Sequence, residues 1–273
     1  MKQKLLIALF AAVLLPVHFA SAAETGNATN ELAVLVAKVN ADIQAGKRTE
    51  ADLADDLKQF DALLAEHKGE VTDAVAGILY MKATLYSEVI GDTAKADALI
   101  QQLKTDFKDT QLVAALEKQE AREAAAAKMK ALLVKGAQFP DFNEKDFTGN
   151  PLSIANDKGK VILIDFWATW CPPCRAELPN VLATYQKYHD QGFDIIGVSL
   201  DEERTNLLAF TKENKMTWPQ FFDGQGWDNK LAVKYGIQAI PATYLLDGTG
   251  KIVGEDLSGD ALEQAVAGAL KKN

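Results

Sequence analysis

Cysteine is scarce in this sequence, and the two cysteines that it has stand together. Cys171 and Cys174 follow the apolar run 161–167, and no other cysteine occurs among the 273 residues. A Cys-x-x-Cys pair at a strand-to-helix junction suits thiol–disulfide exchange, because the helix N-terminus favours a thiolate at the first sulfur. The second sulfur lies one turn later, close enough to close a disulfide and release a trapped partner. Either this pair carries redox chemistry, or the chain has no cysteine-specific function.

Positive charge and histidine are also in short supply. The 29 lysines and arginines face 38 aspartates and glutamates, a formal net charge of −9, which argues against a nucleic-acid-binding surface. A structural zinc site needs about four ligands, whereas the pair offers two sulfurs and His189 lies 15 residues after Cys174. Covalent haem attachment requires a histidine at the position that Arg175 occupies. We therefore expect no metal, no cofactor and no nucleic acid.

Long hydrophobic runs are limited to the first residues of the chain. The run 5–15 has 11 residues, whereas a membrane-spanning helix needs about 20. Lys2 and Lys4 precede the run, and small residues of the A-x-A type follow at 20–22. This pattern predicts a cleaved secretory signal over residues 1–22, and so a periplasmic location in which disulfides persist. An uncleaved N-terminal anchor is the alternative.

Proline is absent from residues 24–135, where apolar residues recur at spacings of three and four, as in helices. The segment 86–96 resembles a tetratricopeptide-like turn between two such helices. Residues 121–135 favour a long helix or connector that ends at Gly136, so the domain boundary is expected near 135. The pattern predicts a small all-α domain with helices at about 30–45, 50–67, 71–90, 93–107 and 110–134.

From residue 136 onward, prolines, glycines and β-branched runs replace the helical pattern. Two apolar runs, at 161–166 and 193–199, predict buried strands. The sequence Asp247-Gly248-Thr249-Gly250 predicts the turn of a hairpin. Strands alternating with helices indicate an α/β domain with a mixed sheet and helices on both faces. The expected elements are a strand pair near 145–154, strands at 161–166, 193–199, 243–246 and 251–254, an apolar stretch at 218–223, and helices at 172–190, 204–214, 228–235 and 260–271.

Four stretches of this second half together resemble the thioredoxin superfamily, and within it the exported TlpA/ResA/CcmG-type branch. They lie, in the expected order, at 166–179, 197–201, 235–244 and 247–253. The resemblance implies a thioredoxin-like domain over 136–273 and a thiol–disulfide oxidoreductase without a cofactor. The peroxidases of this superfamily place a threonine where this chain has Ala168, so peroxidase activity is not expected.

Two acids are candidates for the proton acceptor in that chemistry. We expect Cys171 to be the attacking thiolate and Cys174 the resolving, less exposed thiol. Asp165 lies on the buried strand, where burial should raise its pKa, and it matches the buried acid of ordinary thioredoxins. Glu177 lies three residues after Cys174 on the same helix face and matches the acid of the exported branch. The alternatives are a partly solvated strand end for Asp165 and an exposed first-turn residue for Glu177.

The resemblance also assigns residues to substrate contact. It implies that Pro241 is cis, faces the cysteines and offers the backbone of Ile240 to an extended substrate segment. Trp167 and Trp170 are expected to form an apolar collar, with plain core packing as the alternative for Trp167. Three further aromatic residues, Phe221, Phe222 and Trp227, are expected to pack in the core, and the alternative is that their stretch covers one rim of the site.

Two functional classes follow. The first is an exported disulfide reductase that a membrane electron donor keeps reduced, with disulfide-bearing exported proteins as substrates, apocytochromes c among them, and with peripheral membrane contact left open. The second is a non-catalytic or redox-sensing protein that uses its helical half to bind a partner. An oxidase or isomerase would use the same parts as the reductase, so the direction of electron flow stays open here.

Overall fold

The computed structural model describes residues 27–272, so the expected signal segment 1–22 lies outside the described residues. The chain forms two compact units that meet between Gln119 and Glu120, rather than near 135 as the sequence pattern predicts. The difference arises because Met129 and Leu133, at the end of the predicted connector, pack into the core of the second unit. Within the described part, no helix is both long enough and apolar enough to cross a membrane.

The first unit is all-α, as predicted. Its core is built from apolar residues on successive helical turns, such as Leu53, Leu57 and Phe60. Between the helical segment that ends at Ile90 and the helix that begins at Thr93, the chain turns at Gly91, which adopts a left-handed conformation. The side chain of Asp92 accepts a hydrogen bond from the backbone N–H of Lys95. The helices are α1 Asn27–Gln44, α2 Ala54–Glu66, α3 Asp73–Thr84 with a π-helical continuation over Leu85–Ile90, α4 Thr93–Asp106 and α5 Gln111–Leu132, whose first nine residues belong to this unit.

The second unit is an α/β domain, again as predicted. A two-residue strand pair, β1 Glu144–Lys145 and β2 Pro151–Leu152, precedes the main sheet and is much shorter than the expected pair. The remaining strands are β3 Val161–Trp167, β4 Phe193–Ser199, β5 Gln220–Phe221, β6 Ala242–Leu246 and β7 Ile252–Glu255. The helices are α6 Pro172–Tyr188, α7 Arg204–Glu213, α8 Lys230–Tyr235 and α9 Gly259–Leu270.

The main sheet is mixed and has the order β5-β4-β3-β6-β7. Strand β3 lies at its centre, parallel to β4 and antiparallel to β6. Every residue of β3 is buried, which explains its nearly unbroken apolar sequence. Helix α6 begins five residues after β3 ends, so the Cys-x-x-Cys pair stands at the carboxyl edge of the central strand.

Candidate redox site

The two cysteines form a disulfide at the N-terminus of α6. Cys171 is the N-cap residue of this helix, and its Sγ accepts a hydrogen bond from the backbone N–H of Cys174 at 3.2 Å. Pro172 and Pro173 fill the first two helical positions, where proline is favoured but has no N–H to donate. The amide of Cys174 is therefore the first in the helix that can stabilise negative charge on Cys171.

The expectation that Cys174 is the less exposed sulfur is wrong. In the disulfide state Cys171 is 3 % exposed and Cys174 is 7 % exposed. The Sγ of Cys171 lies 3.8 Å from the carbonyl oxygen of Ile240, so the segment before β6 covers it. Cys174 instead borders a cavity. Sequence position alone does not show which neighbouring segment covers which sulfur.

The Ile240–Pro241 peptide bond is cis, as the resemblance implies. This bond directly precedes β6, which pairs with β3. In that pairing Phe166 lies opposite Ala242, and Asp165 lies opposite Thr243. The pairing places Pro241 beside the cavity that Cys174 borders. The structure thus brings together the cysteines, the cis proline and the end of the central strand.

A cavity of about 310 Å³ lies behind Cys174. Asp165, Glu177, Pro241 and Thr243 are among its lining residues. Asp165 is buried, so the alternative of a partly solvated strand end is wrong. Burial, with a further contribution from the negative charge of Glu177, raises the pKa of Asp165 to about 7. A carboxyl group with this pKa can take up or release a proton near neutral pH.

Glu177 also lines this cavity and is hydrogen-bonded to a second helix. Its side chain is half-buried, and one carboxylate oxygen accepts the N–H of Gly259 at 2.6 Å while the other accepts the side-chain amide of Asn180 at 3.2 Å. Gly259 is the first residue of α9, whose own N-cap residue, Ser258, makes no side-chain capping bond. The alternative of an exposed first-turn residue is therefore wrong, and the carboxylate of Glu177 caps α9.

The three tryptophans around the site have different environments. Trp167 is buried, lines the cavity and donates from Nε1 to the Oε1 of Gln220 at 2.9 Å, so it is a core residue that also walls the site. Trp170 is 49 % exposed, and its ring centroid lies 6.1 Å from that of Trp227, which is 42 % exposed. The core packing expected for Trp227 is therefore wrong, whereas Phe221 is buried as expected.

Sequence reasoning missed a buried acid that supports the loop before Cys171. Asp201 accepts hydrogen bonds from the backbone N–H of Thr169 at 3.2 Å and from its hydroxyl at 2.5 Å. A third bond, at 2.7 Å, comes from the hydroxyl of Ser199 at the end of β4. The signal was available, because Asp201 follows a buried parallel strand whose carboxyl end meets that of β3 at the same sheet edge.

A Cys-x-x-Cys disulfide at a helix N-terminus, beside a cis proline on a mixed five-stranded sheet, defines the class of thioredoxin-like thiol–disulfide oxidoreductases. Among residues 27–272, His, Cys, Asp and Glu side chains form no group of three that could hold a metal ion.

Comparison with known proteins agrees with this class. The AhpC/TSA family model matches residues 135–254. ResA, a thiol–disulfide oxidoreductase of Bacillus thuringiensis (strain Al Hakam), is 33 % identical over 138 residues, which are 50 % of this chain and 77 % of that protein. The thioredoxin-like protein YneN of Bacillus subtilis (strain 168) is 34 % identical over 121 residues, 43 % of this chain and 68 % of that protein.

Among solved structures, the thioredoxin domain of a thiol–disulfide oxidoreductase from Bacteroides vulgatus is 35 % identical. The matched region covers 50 % of this chain and 97 % of that domain, and the TM-score is 0.46. On the similarity to the curated relatives, the chain belongs to the thioredoxin-like family of ResA-type thiol–disulfide oxidoreductases.

Proposed function

We propose that this chain reduces disulfides in other exported proteins. The observation that carries the proposal is the electrostatic setting of the sulfurs. One N–H, that of Cys174, bonds to the Sγ of Cys171, and the carboxyl groups of Asp165 and Glu177 line the cavity that Cys174 borders. Nearby negative charge opposes thiolate formation, so the dithiol gains little from ionisation. Strong oxidants of this class owe their high potential to a stabilised reduced form. The absence of such stabilisation in this arrangement of carboxyl groups supports the reductant role.

The reaction follows from the arrangement of the two sulfurs. In the reduced protein, the Cys171 thiolate attacks one sulfur of a partner disulfide and forms a mixed disulfide, and the other partner sulfur leaves as a thiolate. Cys174 then loses its proton to Asp165 and attacks the Sγ of Cys171. This step closes the Cys171–Cys174 disulfide and releases the second partner sulfur, so the partner gains two electrons. A dithiol donor returns two electrons and two protons to this chain.

The proposal also includes the cellular location of this chain, its electron donor and its substrates. The N-terminal pattern of the sequence supports export, and a membrane protein bearing a dithiol is the class of donor that could serve a periplasmic reductase. Disulfides of exported proteins, including apocytochromes c that await haem, are substrates of the right chemistry. The proximity of Ile240 to the Cys171 sulfur supports a substrate segment that lies extended along the backbone before β6.

The reduction potential tests the direction of electron flow. We expect equilibration of the full chain with glutathione or dithiothreitol to give a value near that of thioredoxin, about −270 mV. A value near −120 mV, typical of a strong oxidant, would contradict the reductase proposal.

The Cys174→Ala variant tests the order of the two sulfurs. Without the resolving thiol, we expect mixed disulfides between Cys171 and exported proteins to accumulate when the variant is produced with its export signal. Non-reducing electrophoresis and mass spectrometry would identify them. The matched control is Cys171→Ala, which should trap none. Equal trapping by both variants would overturn the assignment of Cys171 as the attacking thiolate.

A further inference from the structure

The second half of α5 presents one face to the α/β unit. The face consists of Arg122, Ala126 and Met129, at intervals of four and three residues, the spacing of a single helix face. Leu133 directly follows α5 and continues this face, since its N–H bonds to the carbonyl oxygen of Met129. Ala126 and Leu133 are buried, and Met129 packs against the core of this unit. A Cβ at Gly236 would lie 2.6 Å from the Cα of Ala126, so the backbone after α8 approaches the helix closely. This segment of α5 is therefore a docked element of the α/β unit.

Arg122 lies at the start of that docked face and contacts the turn at 226–228. Its Nη1 donates to a carboxylate oxygen of Asp228 at 2.5 Å, and its Nη2 donates to the carbonyl oxygen of Trp227. The planar guanidinium can make both bonds in one fixed geometry. The arginine therefore holds both the backbone of Trp227 and the residue after it.

The turn that Arg122 holds carries one half of an exposed aromatic pair. The rings of Trp227 and Trp170 are tilted by 57° with their centroids 6.1 Å apart, a separation at which aromatic rings attract each other. Trp170 immediately precedes Cys171. A partner that brings its disulfide to Cys171 must pass close to these rings. Half-exposed tryptophans beside a reacting atom are the type of residue that dominates binding energy at protein interfaces.

We propose that Arg122 is a positioning residue that holds Trp227 against Trp170, so that the two indoles form a contact surface for an apolar side chain next to the substrate cysteine. This inference rests on the proposed function, in which Cys171 exchanges disulfides with other proteins. Arg122 precedes residues 135–254, which match the family model, so the contact is supplied by a part of the chain outside that match. The substrate class is thus narrowed to disulfides flanked by an aliphatic or aromatic residue.

The test compares two disulfide-linked peptides that differ only in leucine or serine beside the cysteine, together with oxidised glutathione. The reduced full chain should have a higher kcat/KM for the leucine peptide. In Arg122→Ala we expect kcat/KM for that peptide to fall about tenfold, equivalent to about 1.4 kcal/mol, with the serine peptide and glutathione disulfide unchanged. Trp227→Ala should show the same loss, and the double variant no further loss.

The control is Lys128→Ala, which removes an exposed cation from the same helix. A spectroscopic measurement complements the kinetics: Arg122→Ala should weaken the circular-dichroism couplet of the two neighbouring indoles, and its reduction potential should equal that of the wild type. Unchanged preference for leucine in Arg122→Ala, or an equal loss on all three disulfides, would overturn this inference alone. A wild-type chain that reduces none of the three would overturn the proposed function and this inference with it.

Discussion

Asp165 shows how one buried residue links the fold of this protein to its chemistry. The central strand β3 is buried along its whole length, and the same burial that makes it a core strand makes an ionised carboxylate costly there. The negative charge of Glu177, which lines the same cavity, adds to that cost. The consequence is a proton acceptor with a pKa near neutrality, in the cavity behind Cys174.

Replacing Asp165 by asparagine should stabilise the oxidised protein at high pH. Its pKa is about 7 when folded, against an ordinary value of 3.8. Well below pH 4 both states are protonated, so this group does not change the free energy of unfolding. The native state is destabilised as pH rises from about 4 to about 7, and above pH 7 the loss stays constant. We expect Asp165→Asn to unfold at similar urea concentration at pH 4, but to be up to about 4 kcal/mol more stable than the wild type at pH 8.

The matched control for this comparison is Asp190→Asn, which neutralises an exposed acid and should change stability little at either pH. The kinetic counterpart is slower resolution of the mixed disulfide in Asp165→Asn at pH 7, measured by quenched-flow trapping. The same stability difference from the wild type at pH 4 and pH 8 would contradict the burial argument.

At the residue scale, the sequence predicted several of the residues that the structure brings together around the disulfide. The two cysteines, Asp165, Glu177 and Pro241 were all identified from spacing and resemblance, because each lies within a few residues of an element boundary that local pattern reveals. The exposure of Trp227 was not predicted, and the hydrogen bond from Arg122 to its carbonyl oxygen joins residues 105 apart in the chain. Likewise, the roles of Asp201 and Gln220 depend on which strands are neighbours in the sheet.

At the scale of elements, the first unit carries a charged histidine contact between helices. His67 directly follows α2, and its two ring nitrogens contact Glu31 of α1 at 2.8 Å and Glu70 at 3.1 Å. Hydrogen bonds to these two carboxylates, that to Glu31 foremost, raise the pKa of His67 above its usual 6.5. The protonated ring thus ties the end of α2 to α1.

This contact predicts a pH dependence of the helical unit. Because the folded pKa of His67 is raised, its contribution is fully present below the unfolded value of about 6.5 and is lost as pH rises through the folded pKa. We expect His67→Gln to lower the thermal unfolding temperature of the helical unit more at pH 6 than at pH 9. His189→Gln, which alters an exposed histidine of the other unit, is the control. An equal loss at both pH values would show that packing, not charge, is what His67 contributes.

The sequence predicted which segments are helices and which are strands better than it predicted how long the strands are. The helices begin and end at local signals such as Asp92 and Gly91, which act within one turn. The strand pair expected near 145–154 has only two residues in each strand, β1 and β2. Asp146 accepts bonds from Thr148 and Asn150, so side-chain contacts in the turn replace a longer ladder.

At the scale of the whole molecule, the division between the units predicts how the chain can be shortened. A fragment over 120–273 keeps the docked face of α5, whereas one over 136–273 loses Ala126, Met129 and Leu133. Removing these apolar contacts should lower the free energy of unfolding by about 3–5 kcal/mol. We therefore expect the longer fragment to unfold cooperatively at clearly higher urea concentration than the shorter one.

Urea titration followed by tryptophan fluorescence would measure this difference, since all four tryptophans lie after residue 136. Addition of residues 120–135 as a separate peptide should partly restore the stability of the shorter fragment. Equal unfolding midpoints for the two fragments would place the boundary near 135, as the sequence pattern suggested.

The sequence by itself determined the class of this protein: a helical half without proline, an α/β half, and one cysteine pair in the setting that disulfide exchange requires. These follow from periodicity, turn residues and local spacing, which act over a few residues. Only the tertiary structure decided which sulfur is covered, which helix Glu177 caps, and which tryptophan meets Trp170. Those properties depend on burial and on contacts between residues far apart in the chain, which no local pattern encodes.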